Sequence, residues 1–175
     1  MTRVNLLLSG PSASGKNTIG AVLATLVKPC AVIDFDVVRL MFANPHLTPW
    51  RGEQGYAQQL TGVRMVSSLA TQFQKAGWHT VILDVLWRDS PSLYRELLGD
   101  QLTIVSLLPT FDEIVRRSSE RESREGHRRL TAAELRLVWD EHASAANYDL
   151  RIDNTNIAAV DVAEEILRRT CYEDS

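Results

Sequence analysis

Five short runs of apolar residues recur along the chain, and each has the length of a buried strand. The runs cover residues 4–9, 31–33, 80–86, 102–108 and 150–152. Apolar side chains are continuous in these runs, which is typical of strands that are buried on both faces of a sheet. The pattern therefore predicts five strands of a parallel sheet.

Segments with helical spacing separate these strands, because apolar side chains return in them every three or four positions. The predicted helices cover residues 15–26, 54–76 and 90–99, with two more after the capping-box patterns at 110–113 and 131–134 and a last one after Asn156. Alternating strands and helices predict an α/β domain with helices on both faces of the sheet. Such domains bind ligands at the carboxyl ends of the strands.

Length and composition narrow the class of protein. A chain of 175 residues that is 45% hydrophobic predicts one domain over residues 1–175. The net charge of −3 gives no general attraction to nucleic acid or to an anionic membrane. The first apolar run is too short to span a bilayer and no cleavage-site pattern follows it, so we expect a cytoplasmic protein. Monomer and homodimer both remain open.

The strongest motif is GPSASGKNT at residues 10–18, here called the phosphate loop. It fits the pattern G-x-x-x-x-G-K between a strand and a helix, where backbone N–H groups and the helix N-terminus bind phosphate oxygens. The lysine is expected to reach the β- and γ-phosphates of a nucleotide. The predicted nucleotide-binding residues of the loop are Gly10, Ser12, Ala13, Ser14, Gly15, Lys16, Asn17 and Thr18.

One position of the loop departs from this pattern. A Ser or Thr hydroxyl normally follows the lysine and binds Mg²⁺, but here Asn17 follows it and Thr18 comes next. Mg²⁺ retains bound waters readily, so we expect the loop to hold it through water. Whether Asn17 or Thr18 contributes stays open.

Acidic residues follow the second and third strands. Asp34 and Asp36 lie two positions apart, which places both side chains on one face if the strand continues. One carboxylate is then suited to hold Mg²⁺ through water, and the other to accept the proton of a hydroxyl group. Asp84 ends the apolar run VILD and resembles the metal-ordering acid of a Walker B strand. The alternative for Asp34 and Asp36 is that both are solvated loop residues.

Residues 116–129 read RRSSERESREGHRR, with six arginines. In a helix, Arg117, Arg121, Arg124 and Arg128 fall within about 60° of one face. Such a run is either a solvated helix surface or a group of arginines that neutralises phosphate charge.

Two further segments carry candidate binding residues. Residues 37–60, here called the acceptor segment, contain Trp50, Arg51 and Tyr56, and these side chains suit a pocket for a ring, a sugar or an anionic group. The last strand ends in the sequence RIDNT, which includes Asn154 and Thr155.

Taken in order, these motifs resemble those of P-loop small-molecule kinases with the nucleoside-monophosphate-kinase fold, above all chloramphenicol phosphotransferase-like and tunicamycin-resistance-like proteins, and also shikimate and gluconate kinases. The resemblance implies a three-layer fold with strand order 2-3-1-4-5. It also implies that residues 116–130 form an arginine-rich lid, and that the Asn154–Thr155 loop holds adenine.

The resemblance also implies roles for individual residues. Asp36, which VVR follows, matches the base of chloramphenicol phosphotransferase, and Asp34 matches the metal-side aspartate of shikimate kinase. The catalytic residues are then expected to be Lys16, Asp36, Arg117, Arg121 and Arg124. The acceptor-binding residues are expected to be Asp36, Arg39, Trp50, Arg51, Tyr56, Trp87 and Arg88. Asp34, Asp84 and Asn17 are the expected metal-side residues, acting through water.

The expected activity is transfer of the γ-phosphoryl group of ATP, with Mg²⁺, to a hydroxyl group of a small molecule, an antibiotic being one candidate. Two alternatives remain. One is a nucleoside monophosphate kinase, and the other is a nucleotide-binding switch without turnover. The sequence does not name the acceptor.

Overall fold

A parallel five-stranded sheet forms the centre of the computed structural model, which describes residues 4–125 and 130–170 without the side chains of residues 121–125. The strands are β1 (Asn5–Ser9), β2 (Cys30–Asp34), β3 (His79–Asp84), β4 (Thr103–Leu107) and β5 (Leu150–Ile152). Their order is β2-β3-β1-β4-β5, and every neighbouring pair is parallel. The predicted fold class and strand order are confirmed.

Helices cover the sheet. Within the described ranges they are α1 (Lys16–Leu26), α2 (Phe35–Arg39), α3 (Gly52–Lys75), α4 (Ser90–Leu98), α5 (Phe111–Glu125), α6 (Ala132–Ser144) and α7 (Ala159–Thr170). The capping box predicted at the start of α6 is present, since Thr131 and Glu134 bond each other's backbone N–H groups. None of the helices in the described ranges combines the length and apolar character that crossing a membrane requires.

The sheet separates two apolar cores, because successive side chains of a strand point to opposite faces. Leu6 and Leu8 of β1 pack into the core beneath α1 and α7, with Ile166 among their partners. Leu7, between them in sequence, packs into the other core with Ile82 and the side chains of α3 and α4. Burying each such leucine contributes about 1.5–3 kcal/mol, so β1 is held firmly from both faces just before the phosphate loop.

Two local differences from the sequence prediction have a clear cause. The strand after Ala31 does not continue to Asp36, because the Asp34 carboxylate accepts a hydrogen bond from the Asp36 backbone N–H (2.9 Å) and caps α2. Asn156 does not cap α7 either. It lies in a turn with a φ of 55°, and the helix begins three residues later at Ala159.

Candidate active site

The phosphate loop joins the end of β1 to the start of α1 in a tight turn. A Cβ atom added to Gly10 would lie 2.4 Å from the Leu107 carbonyl oxygen and 2.6 Å from Ser14 Oγ, closer than van der Waals contact permits. Gly15 has a φ of 97°, in the left-handed region that favours glycine. The two glycines of the motif therefore fix the path of the loop into the N-terminus of α1.

Lys16 folds back over this loop. Its ammonium group donates hydrogen bonds to the carbonyl oxygens of Gly10 (2.7 Å) and Pro11 (3.1 Å), and the residue is only 9% exposed. Within the loop, the buried Ser14 hydroxyl has no hydrogen-bond partner among the described residues. A buried cation and an unused donor beside a helix N-terminus form a local environment that attracts phosphate oxygens.

A hydrogen-bonded pair supports the strand end from which the loop starts. The Ser9 hydroxyl lies 3.0 Å from Nε2 of the buried His142 and accepts a hydrogen bond from the Leu86 backbone N–H (3.2 Å). Because Nδ1 of His142 faces the Val138 carbonyl (2.8 Å), Nδ1 carries the proton and Nε2 accepts from Ser9. Burial lowers the pKa of His142 to about 4, so the ring stays neutral.

Arg117 and Asn154 support the loop from the other side. Arg117 donates to the carbonyl oxygens of Ser14 (3.3 Å) and Asn154 (3.0 Å), while the Asn154 amide donates to the same Ser14 oxygen (2.8 Å). Glu113, whose pKa falls to about 2 because of hydrogen bonds from Arg116 and Arg117, holds the Arg117 Nε at 2.7 Å. Arg117 therefore joins the phosphate loop to the end of β5.

The other arginines of the predicted lid are only partly described. The backbone of Arg121 and Arg124 continues α5, but their side chains lie outside the described residues, and so does Arg128. Thr155 lies near the start of α5, where its hydroxyl accepts a hydrogen bond from the Thr110 backbone N–H (2.8 Å).

Asn17, the unusual residue of the loop, contacts the first of the predicted acids. Its amide donates to the Asp34 carboxylate at 2.9 Å, while the other oxygen of Asp34 caps α2. Asp36 points its carboxylate into solvent, with its side chain 76% exposed, and lies 4.0 Å from the Arg39 guanidinium. Asp34 is thus fixed by hydrogen bonds, and Asp36 is accessible.

Asp84 differs from both because it is buried. It accepts hydrogen bonds from the Tyr94 hydroxyl (2.9 Å), the Gln59 amide (3.2 and 3.3 Å) and the Val85 backbone N–H (2.7 Å). Burial raises the pKa of the Asp84 carboxyl to about 7, although Tyr94 and Gln59 act in the opposite direction. The Asp84 carboxyl group therefore titrates near neutral pH.

On the acceptor side, Arg39 is largely buried, with a side chain 12% exposed. Besides the contact with Asp36, its guanidinium donates to Nε2 of His46 (3.2 Å) and to the Leu47 carbonyl oxygen (3.1 Å). These bonds hold His46 and Leu47 against the end of α2.

Two tryptophans meet farther along the same wall. The rings of Trp50 and Trp87 pack edge to face, with centroids 5.9 Å apart. The Trp50 indole N–H and the Arg51 guanidinium both donate to Glu134, at 3.4 and 3.2 Å. Since Glu134 also forms the capping box of α6, it joins the acceptor segment to α6.

Tyr56 and Arg88 form a separate contact. The Arg88 guanidinium lies over the Tyr56 ring at 5.0 Å from its centroid and pairs with Glu53 at 2.9 Å. The Tyr56 hydroxyl accepts a hydrogen bond from the Asp89 backbone N–H (3.3 Å).

One cavity of about 660 Å³ brings the phosphate loop, the acids and part of the acceptor segment together. The predicted site residues that line it are Ser12, Ala13, Ser14, Gly15, Lys16, Asn17, Thr18, Asp34, Asp36, Arg39, Trp50 and Asp84. Those that do not are Gly10, Arg51, Tyr56, Trp87, Arg88, Arg117, Asn154 and Thr155.

Sequence reasoning missed several residues of the cavity wall, among them Gln59 and Glu134. Gln59 could have been noticed as a polar residue next to the apolar face of the long predicted helix. Glu134 was recognised only as a helix cap, and nothing in the sequence indicates its contact with a segment more than eighty residues away. Within the described ranges no cluster of three or more His, Cys, Asp or Glu could hold a metal ion.

Comparison with known proteins places this geometry in a known fold. Neither protein-family models nor curated proteins match the sequence. A shikimate kinase from Acinetobacter baumannii in complex with shikimate superposes with a TM-score of 0.68 at 20% identity, over 99% of this chain and 96% of that chain. For an unliganded sugar kinase from a Janibacter species, the TM-score is 0.71 at 19% identity, and the match covers 94% of this chain and 92% of that chain.

A third solved structure, the tunicamycin resistance protein of Deinococcus radiodurans, has a TM-score of 0.65 at 14% identity and covers 95% of both chains. Identities this low establish the architecture alone. Together with the sheet order and the phosphate loop, these likenesses show that the chain has the fold of the P-loop kinases.

Proposed function

We propose that the protein transfers the γ-phosphoryl group of ATP to a hydroxyl group of a small molecule. The observation that carries this proposal is the single cavity in which the phosphate loop, the exposed Asp36 carboxylate and the aromatic wall at Trp50 face a common space. Its volume of about 660 Å³ lies within the range typical of small-molecule sites. Proteins of the same fold include kinases whose names give shikimate and sugars as substrates.

In this reaction the acceptor oxygen attacks the γ-phosphorus, the bond between that phosphorus and the β–γ bridging oxygen breaks, and ADP leaves. The hydroxyl proton passes to Asp36, which is the accessible carboxylate of the cavity. Lys16 and the N–H groups of the loop hold the phosphates and offset the negative charge on the transferring group. Asp34 is held by Asn17 and by the α2 cap, so it is less free to take a proton.

Mg²⁺ fits this site as an ion carried by the phosphates of ATP, because the Asp34 carboxylate lies against the phosphate loop, hydrogen-bonded to Asn17, and lines the same cavity. When bound it would supply charge neutralisation on the phosphates. Asn17 of the loop and Asp34, to which it donates a hydrogen bond, would contact the ion through water. Asp84 already accepts hydrogen bonds from Gln59, Val85 and Tyr94, so we assign it to organising the wall of the cavity.

The arginines divide between two roles in this proposal. Arg117 positions the phosphate loop and the adenine side of the site, because its guanidinium is bonded to Ser14 and Asn154. Arg121 and Arg124, farther along the lid, are the candidates to neutralise the transferring phosphoryl group. Lid closure over the cavity would exclude water from the transfer.

The proposal is tested by incubating the protein with Mg·ATP and a library of hydroxylated metabolites and antibiotics, chloramphenicol and tunicamycin included. ADP release and the phosphorylated product are both measured. The expected result is ADP release that depends on one added acceptor and matches its phosphorylation mole for mole. ATP binding without acceptor-dependent release would favour a nucleotide-binding switch, and turnover confined to nucleoside monophosphates would favour a nucleotide kinase.

A further inference from the structure

The acceptor half of the cavity and the surface beside it carry three arginines, and each is paired with a carboxylate. Arg39 lies 4.0 Å from Asp36, and Arg51 lies 3.2 Å from Glu134. Farther along the acceptor side, Arg88 pairs with Glu53 at 2.9 Å. Among the described residues of this half, no arginine is left without an acidic partner.

Arg39 is the only one of these three arginines that lines the cavity, and its other donors are also in use. It bonds to Nε2 of His46 and to the Leu47 carbonyl oxygen, and its side chain is largely buried. An anionic acceptor group would have to displace Asp36 from Arg39. Asp36 is also the proposed proton acceptor, so such an acceptor would lie against the carboxylate that has to remove its proton.

Two further carboxylates in this half of the cavity would repel an anionic ligand. Glu134 lines the wall, and hydrogen bonds from Thr131 and Arg51 lower its pKa to about 2, so it remains ionised at neutral pH. Asp84 lines the same cavity from a buried position and adds negative charge whenever it is ionised. Apart from Lys16 of the phosphate loop, the described lining of the cavity therefore contains one arginine, Arg39, and four carboxylates, those of Asp34, Asp36, Asp84 and Glu134.

Kinase sites that accept carboxylates or phosphates need cations free to form paired, charge-assisted hydrogen bonds. This cavity instead presents acids together with Trp50, Pro49 and Thr48. An indole and a proline ring provide an apolar wall against which a ring can pack.

From this balance, and resting on the phosphotransferase function above, we infer that the acceptor is an alcohol with no anionic group. It is uncharged or cationic, and carries a ring that packs against the Trp50 wall. This excludes nucleoside monophosphates and hydroxy acids as the principal substrates.

The test uses matched compounds that differ in charge. Each hydroxylated probe is assayed beside a partner of the same skeleton: shikimate with its methyl ester, glucuronate with glucose and glucosamine, and adenosine monophosphate with adenosine. The wider library is sorted in the same way into anionic, uncharged and cationic compounds. Phosphorylation is followed at saturating Mg·ATP.

We expect every phosphorylated compound to be uncharged or cationic, with kcat/KM at least about tenfold above that of an anionic partner. Equal turnover of partners, or turnover confined to anions, would overturn the charge assignment and leave the phosphotransferase function standing. Turnover of no compound in any class would remove that function, and this inference with it.

A second measurement changes the charge of the wall. Glu134→Gln removes one negative charge but keeps the cap of α6, because glutamine also serves in a capping box. We expect the preference for cationic over uncharged acceptors to fall by roughly tenfold. Glu164→Gln is the matched control, since Glu164 is an exposed residue of α7. An unchanged preference in the Glu134 variant would contradict the inference.

Discussion

Replacing Asp84 with asparagine tests how the buried carboxylate under the site affects the stability of the fold. Asp84 is 3% exposed, and burial raises its pKa to about 7 from 3.8. At a pH between these two pKa values, Asp84 holds a proton in the folded protein and releases it in the unfolded chain. The stabilisation from this proton is complete below a pH of 3.8 and is lost as the pH rises through about 7.

The size of the effect follows from the two pKa values. A pKa of 3.8 in the unfolded chain and of about 7 in the fold corresponds to a loss of about 4 kcal/mol in the free energy of unfolding between about pH 4 and about pH 8. The asparagine side chain does not titrate, so the variant should lack this part of the pH dependence. Fitting the asparagine amide beside Tyr94 and Gln59 changes the free energy of unfolding by the same amount at every pH, so it does not affect the pH dependence.

The assay is urea unfolding of the wild type and of Asp84→Asn without nucleotide, at fixed ionic strength across this pH range. The unfolding free energy of the variant minus that of the wild type should rise by about 4 kcal/mol from the acid to the alkaline end. The contributions of Glu113, Glu134 and His142 are common to both proteins and cancel. A difference between variant and wild type that stays constant within about 1 kcal/mol across this pH range would refute the reasoning. Asp161→Asn, on the exposed face of α7, is the control, and its difference from the wild type should stay constant.

Two further substitutions test the phosphate loop. Gly10→Ala places a Cβ atom 2.4 Å from the Leu107 carbonyl oxygen, so the loop must move. We expect the Kd for ATP to rise by tenfold or more, about 1.4 kcal/mol, in calorimetry, and an unchanged Kd would contradict this geometry. Arg117→Ala removes the bond to Ser14 and should raise the KM for ATP about tenfold while changing kcat at saturating ATP little. A fall in kcat alone would instead mean that Arg117 acts on the transferring phosphoryl group, as a lid arginine would. Arg168→Ala on α7 is the control and should change neither KM nor kcat.

The elements that the sequence predicts well are those with local causes. The five strands follow from continuous apolar runs, and the phosphate loop follows from two glycines whose positions leave no room for a side chain or require positive φ. The cap of α6 follows from Thr131 and Glu134, three residues apart. Each of these signals depends on residues that are close together along the chain.

The features that the sequence did not predict depend on contacts between distant residues. Gln59 and Tyr94 meet Asp84 only because α3, α4 and β3 pack together. The short helix α2 was missed because a single carboxylate, that of Asp34, ends the strand and caps the helix at once.

The predicted roles of the arginines illustrate the same limit. The arginine face of α5 was recognised from its spacing, but the spacing did not indicate that Arg117 bonds to Ser14 and to the end of β5. The acidic partners of Arg51 and Arg88 are likewise distant in sequence. Arg51 pairs with Glu134 of α6, and Arg88 pairs with Glu53 of α3.

The central claim is that a hydroxyl proton passes to Asp36 while the phosphate loop holds ATP. The most direct measurement is acceptor-dependent ADP release by Asp36→Asn, with ATP binding to the same variant followed by calorimetry. We expect turnover to fall by a factor on the order of 100 to 10,000 while the Kd for ATP stays within about threefold, because the exposed Asp36 carboxylate pairs with Arg39 of α2. Turnover equal to that of the wild type would contradict the account.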